Sequence, residues 1–149
     1  MEEKKLTIDY MLRSTWQSIA KMYNEQAGKY GESMSTGFTL LSIDPDEGSP
    51  STTLGPRMGV ESTSLSRTLK NMENRGLIIR KPNPLDGRSV LVCLTDSGKL
   101  KREAAKGGVL KFNEVVHNSL SQQKIKHFYE VIEKINELIK EDKIYNTKE

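Results

Sequence analysis

Between Arg57 and Arg88 the chain concentrates the side chains best suited to chemistry, and what they suit is recognition of phosphates and base edges rather than bond-making. Seven basic residues (Arg57, Arg67, Lys70, Arg75, Arg80, Lys81 and Arg88) stand against three acidic ones (Glu61, Glu73 and Asp86). This segment therefore carries +4, whereas the whole 149-residue chain carries +3 and the remainder sums to −1. A basic stripe in an otherwise neutral chain is the footprint of a phosphate-contacting face, with an ordinary solvated surface as the alternative. Ser62, Thr63, Ser64, Ser66 and Arg67 cluster at the amino end of an expected helix, and Lys70 follows them. Small hydroxyls let a backbone approach a groove floor, and Arg67 can reach guanine O6 and N7 or a phosphate. The helix amino terminus adds free N–H donors that favour phosphate. Past it, Arg88 follows an Asp86-Gly87 turn, where a long cation at a loop tip can enter a minor groove. Asp86 either holds Arg88 or shapes the turn.

The elements that must position these groups are also legible. Apolar residues at Ile8, Leu12, Trp16, Ile19, Tyr23, Ala27 and Tyr30 recur in steps of three or four and define one face of a long helix. A second helix is expected from an N-cap at Ser35 through Phe38, Leu40 and Leu41 to Ile43. Asp44 to Gly48 reads as a loop, and Ser49 with Pro50 behind it as the N-cap and first position of a short third helix. Gly59 ends that helix, and Glu61 or Ser62 starts a fourth with Leu65, Leu69 and Met72 inside. Gly76 takes a left-handed C-cap position. Two β-rich runs, Leu77 to Lys81 and Val90 to Leu94, form a hairpin, after which Thr95 caps a fifth helix that Gly107-Gly108 interrupts. The last helix carries Ile125, Phe128, Ile132, Ile135 and Ile139 at heptad spacing, the mark of a helix that packs along another. The expected fold is mainly α with a small β-hairpin wing: a winged helix-turn-helix with terminal dimerisation helices. The expectation is a single domain over 1–149, with the winged lobe at 35–98 and helical dimerisation regions at 1–31 and 99–145.

Other chemistries are poorly served. His117 and His127 lie ten residues apart, about 80° short of a whole number of helical turns, so they do not share a metal-facing side. No glycine-rich phosphate loop, nucleophile elbow or paired-carboxylate motif occurs, so no catalytic residue, metal site or cofactor is assigned. Cys93 is the only cysteine, which rules out an intrachain disulfide and suits a reducing cytoplasm. The longest apolar run, Val90 to Leu94, falls far below the ~18 residues of a membrane span, and the amino-terminal stretch has no signal-peptide pattern. A cytoplasmic protein without a membrane partner is expected.

The stretch from Leu54 to Gly98 contains Gly59-Val60, Ser66-Arg67, Leu69, Arg75-Gly76-Leu77, Arg80, Asp86-x-Arg88, Val92 and Leu94-Thr95-x-x-Gly98, and with these residues it resembles the MarR family of bacterial transcription regulators. The resemblance implies a homodimer that offers one winged helix to each half-site of a pseudo-palindromic double-stranded DNA operator, usually as a repressor. It also implies a small aromatic or apolar ligand, bound between the dimer region and the DNA-binding lobe, that weakens operator affinity. Trp16, Ile19, Tyr23 and Phe38, on the first two helices near that junction, are the candidate ligand-binding residues. Two departures stand out: Gly55-Pro56 falls where the family favours helix formers, and Gly87 where its wing often carries charge. Two other readings remain open, a redox-sensing regulator acting through Cys93 and a winged-helix module that binds protein.

Overall fold

A computed structural model describes residues 6–146. Six helices and three short strands follow one another as α1 (Ile8–Gly28), α2 (Met34–Ser42), β1 (Ser49–Pro50), α3 (Ser51–Met58), α4 (Ser62–Asn74), β2 (Ile78–Pro82), β3 (Val90–Leu94), α5 (Asp96–Ser119) and α6 (Gln122–Lys140). The strands form one antiparallel sheet in the order β1-β3-β2. The expected mainly α winged helix-turn-helix is what the chain adopts. It divides into two compact units, Met1–Gly108 and Val109–Glu149.

The core of the first unit belongs to the helix-turn-helix and its sheet. Leu40 and Ile43 from the α2 end, Leu54 from α3, Leu65, Leu69 and Met72 from α4, and Leu77, Ile78, Val92 and Leu94 from the hairpin are all buried. Leu65, Leu69 and Met72 recur at steps of four and three, so α4 turns one face inward and leaves the other free. Both ends of α4 are fixed by glycine turns. Gly59 has φ +67°, and the next amide, Val60, donates back to the Gly55 carbonyl at 3.1 Å. Gly76 has φ +72°, and Leu77 N–H donates to the Met72 carbonyl at 2.9 Å. Left-handed backbone at these positions is cheap only for glycine.

Thr95 ties the end of the recognition segment to α5. Its hydroxyl donates to the Gly76 carbonyl at 2.6 Å and accepts from Gly98 N–H at 3.0 Å, while its backbone N–H donates to the Leu77 carbonyl at 3.1 Å. Gly98 then passes so close to the chain that a Cβ there would stand 2.0 Å from the Leu77 carbonyl oxygen. The Arg75-Gly76-Leu77 and Leu94-Thr95-x-x-Gly98 sequences are thus two halves of one joint.

Three local expectations are corrected. The N-cap of α2 is Ser33, which accepts from Thr36 N–H at 3.2 Å, and not Ser35. The Asn24 side chain accepts from Met34 N–H at 3.0 Å and so fixes the start of the helix there. Ser49-Pro50 is a strand rather than a helix start: Ser49 opposes Val92 and Pro50 opposes Leu91. Proline is tolerated at the sheet edge because its missing N–H breaks no ladder there. The helix begins only at Ser51. Finally, α5 runs through Gly107-Gly108 without interruption. The good helix formers on either side, Ala104, Ala105, Leu110 and Lys111, offset a cost of roughly 1 kcal/mol per glycine.

The terminal helices present a different pattern. Neither α1 nor α6 has any fully buried residue, although both carry apolar stripes. Ile8, Leu12 and Trp16 on α1 and Phe128 and Ile139 on α6 are exposed. The first five residues of the expected 1–31 region lie outside the described residues.

Candidate nucleic-acid interface

Every polar residue named on α4 is on the surface: Ser62, Thr63, Ser64, Ser66, Arg67 and Lys70 are all exposed. At about 100° per residue, they do not all face the same way. Thr63, Arg67 and Lys70 lie opposite the buried Leu65, Leu69 and Met72 and form the outermost stripe, with Asn74 continuing it. Ser66 flanks that stripe, whereas Ser62, in the first turn, lies toward the side of the buried Leu69. Ser64 lies on the other flank and, with Thr68, lines a cleft of about 430 Å³. Thr68 Oγ1 donates to the Ser64 carbonyl at 3.1 Å, so its hydroxyl is turned back on the helix. The outward position of Asn74 was not drawn from the sequence, although its spacing of seven residues from Arg67 carries that signal.

The seven basic residues of the stripe divide by partner. Arg75 makes a bidentate pair with Glu32, whose carboxylate also meets Lys101 at 3.2 Å. Arg80 pairs with Glu73 at 3.2 Å, and Arg57 donates to the Ser42 carbonyl at 2.7 Å. Arg67, Lys70, Lys81 and Arg88 have no ion pair among the described residues. The cations not consumed internally are therefore those on the outer face of α4 and on the wing. The Glu32 cluster performs a different task. Partial burial alone would raise the Glu32 carboxyl, but hydrogen bonds from Arg75 and Lys101, with their charges, hold it below the usual carboxylate range. It remains charged and anchors the C-terminal end of α4 to the α1–α2 connection and to α5.

At the wing, Asp86 shapes the turn. Its Oδ1 accepts from Arg88 N–H at 2.9 Å and its carbonyl from Ser89 N–H at 3.2 Å, and no ion pair joins the Asp86 and Arg88 side chains among the described residues. The Arg88 guanidinium stays exposed.

The cleft beside Ser64 brings together only part of the expected aromatic group. Trp16 and Phe38 line it and stack at 6.2 Å between ring centroids. Tyr23 meets Phe38 edge-on at 5.6 Å but is not in the lining, and neither is Ile19. Burial raises the Tyr23 phenol above its ordinary value, as expected for packing. The rest of the wall comes from α2, from Leu65 of α4 and from the Met58-Gly59-Val60 turn, whose sequence signal is only that of a helix end. Cys93 is half-buried, with its sulfur against the Gly48 turn, where a Cβ on Gly48 would stand 2.7 Å from Sγ. Among the described residues no cluster of three or more His, Cys, Asp or Glu is arranged to hold a metal, and no helix is long and apolar enough to cross a membrane.

A helix-turn-helix followed by a two-stranded wing, whose β3 also pairs with the short β1 that precedes α3, and with an exposed basic stripe on its second helix, defines the class of winged-helix proteins. Residues 33–90 match the model of the MarR family. The organic hydroperoxide resistance transcriptional regulator of Bacillus subtilis is 31% identical over 96 residues, which span 64% of this chain and 65% of that protein. The fold is that of the Staphylococcus aureus MepR protein in its complex with DNA (TM-score 0.79, 19% identity, 89% of this chain and 98% of that one). It is also that of CouR from Rhodococcus jostii bound to p-coumaroyl-CoA (TM-score 0.77, 18% identity, 91% and 95%). The likeness to the MarR family is carried by residues 33–90, and the matched stretch spans less than two thirds of the length of that curated relative.

Proposed function

We propose that the protein is a sequence-specific DNA-binding transcription regulator, a homodimeric repressor that acts in the bacterial cytoplasm. Each copy sets α4 in the major groove of one half-site and the wing in the adjoining minor groove. The observation that carries this reading is the set of unpaired cations: Arg67 and Lys70 on the outer stripe of α4, Lys81 and Arg88 on the wing, on a helix pinned at both ends by glycine turns. The match of residues 33–90 to the MarR family model supports the same reading, as does the likeness to a protein solved on DNA. Arg67 reads a base edge, and Thr63, Ser62 and Ser66 approach the groove. Lys70 and Arg88 answer phosphate and groove potential, and Asp86 holds the loop that aims Arg88. Arg67→Ala is expected to weaken operator binding by about 1–3 kcal/mol and to blur preference at one position per half-site. Lys70→Ala is expected to weaken all sequences alike and to reduce the salt slope by about one unit. Equal operator affinity of wild type and Arg67→Ala at fixed salt would remove Arg67 from the contacts.

The cleft supports a ligand response. Its walls include Trp16, Phe38, Met58, Val60 and Leu65, and it abuts α4 itself through Ser64. A small aromatic or apolar molecule filling it would press on the recognition helix directly, and Ile19 and Tyr23 would act as packing behind Phe38. CouR, solved with an aromatic acyl thioester, shares the fold. A ligand that binds the DNA-incompetent state a hundredfold better supplies about 2.7 kcal/mol of coupling. Titration of aromatic acids, fatty acids and acyl thioesters should quench or shift Trp16 emission and lower operator affinity in parallel. Compounds that change Trp16 emission without lowering operator affinity would contradict this part of the reading.

A further inference from the structure

We propose that Leu85, at the tip of the wing, enters the minor groove of the operator beside Arg88 and makes the wing reject base pairs that carry the 2-amino group of guanine. This rests on the reading of the protein as a winged-helix DNA binder.

Leu85 is 94% exposed, more than any other large apolar side chain among the described residues. It is not carried on a loose loop. Leu85 N–H donates to Asn83 Oδ1 at 3.0 Å, and Asp86 N–H to the Asn83 carbonyl at 3.4 Å. The Asn83 amide donates to Ser89 Oγ at 2.8 Å, closing the base of the loop on a buried serine. With the two Asp86 bonds to Arg88 and Ser89, five hydrogen bonds order a seven-residue tip. Pro82 and Pro84 further fix the backbone at φ near −65°. The tip thus holds a leucine out in water in one conformation, with most of the ordering cost of a contact already met.

The occupant follows from what surrounds the leucine. Lys81 and Arg88 are unpaired cations on the same hairpin, and one Asp86 oxygen is taken up by the Arg88 amide. A basic tip with an apolar point fits a polyanion whose groove has apolar walls, and the minor groove of DNA, walled by sugars, is such a surface; apolar side chains are recurrent minor-groove probes. There A·T and T·A pairs present only acceptors, N3 and O2, whereas G·C adds the guanine N2 donor. A leucine laid over that amino group removes water from a donor and offers no acceptor in return, which penalises G·C. Arg88 responds to groove width and potential and Leu85 to the presence of an amino group, so the two can be separated.

The test uses the full-length protein and an operator obtained by selection from random DNA. Replacing each A·T pair under the wing by 2,6-diaminopurine·T adds the 2-amino group and leaves the major-groove pattern unchanged. Wild type is expected to lose about fivefold or more in affinity at one such pair per half-site. Where a G·C pair is placed there, its replacement by inosine·C, which removes the amino group, should restore binding. Leu85→Ser is expected to fold normally, to bind the unmodified operator within about tenfold of wild type, and to change less than about twofold on adding the amino group. A wild type indifferent to the amino group would overturn the inference while leaving DNA binding intact. So would a Leu85→Ser variant that keeps the full discrimination, since groove width sensed by Arg88 would then explain it. If wild type selects no DNA at all, the DNA-binding reading itself fails and the inference falls with it.

Discussion

Paired substitution of Leu12→Glu on α1 and Phe128→Glu on α6 is expected to halve the particle mass, from twice the 16.8 kDa of the chain to that of one chain, and to lower operator affinity about 100-fold or more. Helices α1 and α6 leave Ile8, Leu12, Trp16, Phe128 and Ile139 open to solvent, and α1 and α6 bury no residue completely. Soluble monomers rarely leave such apolar helix stripes open to water, and the heptad-like spacing on α6 suits another helix. A carboxylate in each stripe would have to be desolvated in the dimer, whereas in the monomer it remains in water. Joining two DNA-binding lobes makes the second half-site contact intramolecular, which is why loss of the dimer should cost orders of magnitude although no DNA-contacting side chain is touched. Light scattering at micromolar concentration, with far-UV circular dichroism to confirm folding, reads the first effect; a wild type that is already monomeric would contradict it.

Gly98→Ala should be the most destabilising single-atom addition in the winged lobe, at about 3 kcal/mol. Its Cβ would fall 2.0 Å from the Leu77 carbonyl oxygen and 3.4 Å from Leu94 Cδ2. The first neighbour is backbone, held by the Thr95 N–H at 3.1 Å, so it cannot rotate away as a side chain would. Either α5 retreats and breaks the Thr95 joint, or the start of β2 shifts and carries the α4 C-cap with it. For a chain of this length the loss corresponds to roughly 10 °C in melting temperature. Thermal unfolding monitored by circular dichroism measures it, and a variant within about 0.5 kcal/mol of wild type would mean that α5 is not seated there.

The parts of the fold that were legible in the sequence are those whose cause is local. Gly59 and Gly76 could be read as helix ends because a left-handed residue after an apolar-periodic run leaves glycine as the cheap choice. Leu65, Leu69 and Met72 announced the buried face of α4, and therefore the outward position of Arg67 and Lys70. Ser49-Pro50 could not be read locally. The pair is equally a helix N-cap with proline at the first turn or a sheet edge, and the choice is made by Val92 and Leu91, some forty residues away. Ser33 and Ser35 compete as caps at nearly the same place, and Asn24, on the preceding helix, decides between them. The Glu32 cluster with Arg75 and Lys101 is non-local in the same way, as is the contribution of Met58-Gly59-Val60 to the cleft. Trp16 and Phe38 could be found as aromatic residues near a junction, but helix phase alone did not separate them from Ile19 and Tyr23, which lie outside the lining.

Selection of bound sequences from random double-stranded DNA by the full-length protein at about physiological salt tests the central claim most directly. A dimer of winged helices should enrich a pseudo-palindrome whose half-site centres lie about one helical turn, roughly 10 base pairs, apart or at a multiple of that spacing. Its flanks should be rich in A·T where the wings fall. Enrichment of a single, non-repeated motif would contradict the dimeric arrangement, and the absence of any enriched sequence would contradict the reading of α4 as a recognition helix.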